Sequence, residues 1–287
     1  WTARLVARAR QQPSNWVLLS AAAAALVLAI SPHRNAYGLE VNNYPLLVAV
    51  TAGQLFAFAK MITGTARAES NESVSSTLRL PELLWVLATS LAMWTHVLSI
   101  ALPCSQIFLL IMLPEGRKRL GRVLALSGCT ALLCLPLLPA ALAGVNSDPI
   151  NEAPGALKAL SAAFIGFPGR YGSDTASSIL AALVALGALN TLRLPPKERL
   201  VPLSWLAHGL TCGALILWMV SGGMAADHQF PYYLALLPAG ALLVSQAIQP
   251  SQSLPLRALA TAALVAGLSL HAASLGSDAL RGQAAWD

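Results

Sequence analysis

The chain has 287 residues, of which 56% are hydrophobic and only 10% charged, with a mean hydropathy of +0.63 and a net charge of +6. A soluble domain carries roughly 25% charge, so too few charged side chains are present to cover an aqueous surface, and a soluble fold is excluded. The apolar runs are rich in leucine and alanine and lack the two-residue alternation of a barrel strand, which leaves an all-α polytopic transmembrane bundle.

Nine apolar segments are expected to span, at roughly 16–31, 44–62, 82–96, 97–113, 121–140, 176–192, 201–220, 232–248 and 257–275. Together they form one transmembrane domain over 1–287. The third and fourth form one long run, in which Thr95-His96 and Pro103 mark a tight turn.

Between the first two spans lies SPHRNAYGLEVNNYPLL, Ser31 to Leu47. A turn that only reverses the chain does not need His33, Arg34, Tyr37, Glu40, Asn42, Asn43 and Tyr44 in so short a stretch, and we read it as part of a working site. Further along, TGTARAESNESVSSTLRLPE reads as a flexible Ser-rich link, while PEGRKRLGR and LRLPPKER read as basic connections that fix topology. Residues 141–175 form the longest link, where Leu157, Leu160 and Phe164 at helical spacing predict a short interfacial helix.

With this count, 14 of the 18 basic residues fall on one side, among them Arg4, Arg79, Arg119, Arg122, Arg199 and Arg257. The other side keeps Arg34, Lys158, Arg170 and Arg281. The positive-inside rule makes the first side cytoplasmic, with the N-terminus inside, so the net positive charge reports topology and not a nucleic-acid surface. Trp16, Trp85 and Trp205 at inner ends, with Trp94 and Trp218 at outer ends, are expected to form aromatic belts. Four histidines (His33, His96, His228 and His271) and seven of the twelve acids fall at the outer face. Chemistry is therefore expected outside the cytoplasm.

The remaining polar residues divide between structure and function. Cys104, Cys129, Cys134 and Cys212 lie in apolar runs without CxxC spacing and read as small packing residues. His208, beside Gly209 and Gly213, reads as a helix-packing hydrogen-bonder, and Asp174 as a cap for the following helix. The Asp227-His228 pair can hold a metal or relay a proton, but two adjacent residues do not make a site.

Three segments carry a resemblance. In SPHRNAYGLEVNNYPLL, the residues Pro32, Tyr37, Glu40, Tyr44 and Leu46 resemble an outer segment of membrane glycosyltransferases of the GT-C type, the protein O-mannosyltransferase-like enzymes. Asn42 stands where that family usually has arginine. MWTHVLSIALP, with Thr95 and His96, resembles the family's junction between two short spans. FPYYLALLPAGALLVSQAI, with Tyr233, Leu234 and Pro238, resembles a late span but lacks an arginine before the tyrosine.

The resemblance implies an enzyme of the plasma (inner) membrane. It would move a sugar from a polyprenyl-phosphate donor to an envelope glycan, lipid or protein acceptor at the extracytoplasmic face. It also implies that the main catalytic carboxylate lies upstream of Trp1, so the chain is expected to be the C-terminal portion of a longer enzyme. Within it, Glu40 is the candidate carboxylate; Arg34, Asn42, Tyr44, His96, Arg170, His228 and Tyr232 are candidate donor contacts. Arg170, in GFPGRYGSD, is preferred for the phosphate because neighbouring glycines permit close backbone approach. No cofactor is required by this pattern, and a divalent metal stays open. Two other classes compete. A transporter would be expected to show charges in mid-span or paired broken helices, and a non-catalytic membrane scaffold would need no carboxylate.

Overall fold

An apolar chain with no water around it must satisfy its backbone N–H and C=O groups internally, and the helix does this within one segment. The computed structural model describes Thr2 and residues 14–30, 44–68, 79–139, 174–221, 236–249 and 253–280, and all regular structure among them is helical. The helices are α1 (Ser14–Ile30), α2 (Tyr44–Ala68), α3 (Leu80–Thr95), α4 (Ala101–Met112), α5 (Pro114–Cys134), α6 (Asp174–Leu192), α7 (Pro196–Ser221), α8 (Leu237–Ala247) and α9 (Leu254–Leu280). Each expected apolar segment coincides with one of them. Among the described residues four stretches, against the nine spans expected, are long and apolar enough to cross a membrane: Pro45–Thr63, Pro114–Leu137, Thr175–Leu192 and Leu254–Ser274. The expected interfacial helix lies outside the described residues.

The expected turn near residue 96 is present. Helix α3 stops at Thr95, His96 is extended, and a 3-10 turn over Val97–Ile100 leads into α4. The basic stretch PEGRKRLGR, expected as a connection, is instead the opening of α5. Pro114 suits the first helical position because its missing N–H would have had no partner there. Leu113 alone, extended at φ −101° and ψ 124°, separates α4 from α5. Similarly, LRLPPKER is a link only over 193–195, and α7 starts at Pro196. Helix α2 runs on to Ala68, so the first residues of the Ser-rich link are helical too.

Helix α8 occupies the interior. It packs on α6, α1, α7 and α2, and every residue from Ala241 to Ala247 is buried. Its contact with α6 is a backbone contact: a Cβ on Gly187 would overlap the Leu243 carbonyl. One turn further, the Asn190 side-chain amide donates to the Gln246 carbonyl at 2.9 Å. These two contacts advance together along both helices, so α6 and α8 run parallel.

Ionic contacts gather the helix starts at one end. Arg122 of α5 grips Glu82 of α3 with two bonds, Nη2 to Oε2 at 2.7 Å and Nε to Oε1 at 2.9 Å. Glu82 Oε2 also accepts the Arg79 backbone N–H at 2.8 Å, capping α3. Arg199 at the start of α7 pairs with Glu115 at the start of α5, at 3.0 Å. Arg257 at the start of α9 lies over the ring of Trp16 near the start of α1. Near its own end, α8 returns to this region through Gln249, which donates to Ser20 of α1 at 3.2 Å. Arg79, Arg122, Arg199 and Arg257, among the basic residues expected on one side of the membrane, thus share one end of the bundle.

The tryptophan belt needs correction. Trp85 and Trp205 are fully buried core residues and face no interface. Trp94 is exposed, with its indole N–H directed to the Leu133 carbonyl at 3.2 Å. Position along a helix locates a residue in depth, whereas the turn of the helix decides whether it faces lipid or protein.

Candidate functional site

Of the expected site residues, Arg34, Glu40, Asn42, Arg170, His228 and Tyr232 lie outside the described residues. Tyr44 opens α2. His96 is the one whose surroundings are described. Its backbone N–H donates to Ala92 at 2.8 Å, which closes α3, and its carbonyl accepts from Ser99 at 2.9 Å, which starts the 3-10 turn. The half-buried ring sits in the connection, outside both helices. Loss of hydration disfavours the charged form and pushes its pKa down to about 4. At neutral pH the imidazole is therefore uncharged, suited to hydrogen bonding and not to serving as a cation.

Below this junction the interior carries a polar cluster that inspection of the sequence did not single out. Gln54 of α2 and Gln106 of α4 exchange amide hydrogen bonds at 2.9 and 3.0 Å, and Trp85 of α3 donates its indole N–H to Gln106 Oε1 at 2.8 Å. All three residues are fully buried. A buried amide left without partners costs about 1–3 kcal/mol, so this cluster holds three helices in one register. The signal was present, since an uncharged amide inside an apolar run marks a bundle-facing position.

His208, expected as a packing residue, is buried, with the Cys212 sulfur 3.6 Å from Nδ1 one turn along α7. Cys134 is also buried, whereas Cys104 and Cys129 are exposed; all four are free thiols. His271, expected near the outer face, is buried in α9. Among the described residues no three His, Cys, Asp or Glu side chains are grouped to hold a metal. Helix α6 starts at Asp174, the residue expected to precede and cap it.

Comparison with protein-family models, with curated proteins and with solved structures finds no match.

Proposed function

We propose that this chain is a polyprenyl-phosphate-sugar-dependent membrane glycosyltransferase of the GT-C type, with nine spans, a cytoplasmic N-terminus and its working face outside the cytoplasm. The observation that carries the reading is the order of three motif-bearing segments along the chain and the helix ends they adjoin. SPHRNAYGLEVNNYPLL follows the C-terminal end of α1, MWTHVLSIALP turns at the C-terminal end of α3, and FPYYLALLPAGALLVSQAI leads into the N-terminal end of α8. All three helix ends lie away from the ion-paired basic end formed by the starts of α3, α5 and α7. A lipid carrier presenting its sugar at that far end would meet all three segments together.

In the proposed reaction a carboxylate removes the proton of the acceptor hydroxyl while the polyprenyl phosphate departs, which inverts the anomeric carbon. The leaving phosphate gains negative charge in a poorly hydrated place and needs cationic or hydrogen-bonding partners. Arg170 is assigned to the phosphate, Glu40 to orienting a sugar hydroxyl or a neighbouring basic group, and neutral His96 to hydrogen bonding. Arg34, Asn42, Tyr44, His228 and Tyr232 complete the assigned contacts. Transfer of labelled sugar from polyprenyl phosphate is to be measured on membranes containing the full-length enzyme. Glu40→Gln and Arg170→Ala are each expected to lower transfer by at least tenfold, as roughly expected for loss of one charge-assisted contact in the transition state. Unchanged transfer in both variants removes these roles.

A further inference from the structure

A groove of about 720 Å³ runs along the outside of the bundle, between the start of α1 and the first turns of α9. It is a shallow, open trough, not an enclosed cavity. Ala258 and Ala262, four residues apart on one face of α9, line it, with Thr261 and Val265 beside them. The Thr261 hydroxyl is turned inward, donating to the Arg257 carbonyl at 2.9 Å, so it does not make the trough polar.

At its head the groove changes character. The Arg257 guanidinium carbon stands 4.3 Å from the centroid of the Trp16 ring, a geometry that holds a cation against an indole without neutralising it. Arg122 and Arg199 at the same end of the bundle are each paired with a glutamate. Among the described residues Arg257 forms no ion pair. The groove thus joins a positioned cation, unpaired among the described residues, to an apolar trough, and it does so at the end where Arg122 and Arg199 also lie. A phospholipid satisfies both parts.

We propose that this groove binds an anionic phospholipid, with its phosphate on Arg257 and an acyl chain along the alanines. The site rests on the chain being a membrane protein and is independent of glycosyl transfer. Native mass spectrometry of the detergent-purified chain, titrated with phosphatidylglycerol or with phosphatidylcholine of the same acyl chains, tests it. The wild-type chain is expected to retain phosphatidylglycerol about fivefold better, the preference carried by one basic residue at an anionic lipid surface. Arg257→Gln should bring the two lipids level, while Ala262→Phe, which fills the trough, should reduce both. Arg257→Lys, which keeps the charge and loses the planar stacking, should retain part of the preference. Equal retention of the two lipids by the wild-type chain, or an undiminished preference in Arg257→Gln, overturns the proposal. A lipid-free dimer that Ala262→Phe dissociates also overturns it and assigns the groove to a second copy of the chain.

Discussion

Helices α5 and α8 draw on similar apolar residues and meet opposite surroundings. Leu132 of α5 is 73% exposed and Leu243 of α8 is 1% exposed. In a soluble protein such a difference would show as hydropathy. Here lipid is as apolar as the protein interior, so greasiness does not separate the two faces. The interior helix is distinguished by the close approach of its Leu243 and Ala247 backbone to a glycine on its neighbour and by Ser245 and Gln246 among its buried residues. Lipid-facing α5 instead displays leucine, with Leu124 and Leu133 exposed alongside Leu132. Between these two helices, buried polar side chains mark the one inside and exposed leucines the one outside.

That contrast can be broken at several points, most severely where α8 meets α6. Gly187→Leu forces a side chain into the Leu243 carbonyl, and overpacking against backbone costs roughly 3 kcal/mol or more. The variant is expected to lose its monodisperse peak in size-exclusion chromatography after detergent extraction. Next comes a matched pair of truncations. Leu243→Ala should lower stability by about 2 kcal/mol through lost packing contacts, and Leu132→Ala by less than about 0.5 kcal/mol because lipid chains refill the space. Thermal unfolding of both in the same detergent checks this, and equal losses would mean that α5 and α8 do not differ in burial. At the basic end, Glu82→Gln removes one half of a partly exposed ion pair that links α3 to α5. A loss of about 1 kcal/mol is expected, shrinking as salt is raised; an effect indifferent to salt would assign Glu82 to capping alone.

Helix positions were legible in the sequence because apolar run length is a direct consequence of bilayer solvation: all nine expected segments fall on helices. Boundaries were less so. Charge in PEGRKRLGR reports sidedness and says nothing against helix, so α5 starts at Pro114, ahead of the expected 121. Rotation about the helix axis was not legible, which is why Trp85 and Trp205 were expected at interfaces and are buried instead. For the candidate site, the sequence marked the links expected outside the cytoplasm as chemically rich, and among their residues His96 is the one whose surroundings are described. Its type and position were read correctly as a junction residue, but its neutrality follows from burial, a property of the packed bundle that no local pattern contains.

The paired glutamines also bear on how the chain enters its membrane. Helix α4 has 12 residues, a reach of about 18 Å at 1.5 Å per residue, well short of a hydrocarbon layer of about 30 Å. With Gln106 near its middle, it is poorly suited to partition into lipid alone. Docking against Gln54 of α2 and Trp85 of α3 supplies those partners, while α5 and α7 pack along the rest of α4. The amide pairing thus gives this short helix a fixed address among its neighbours that its apolar side chains alone would not specify.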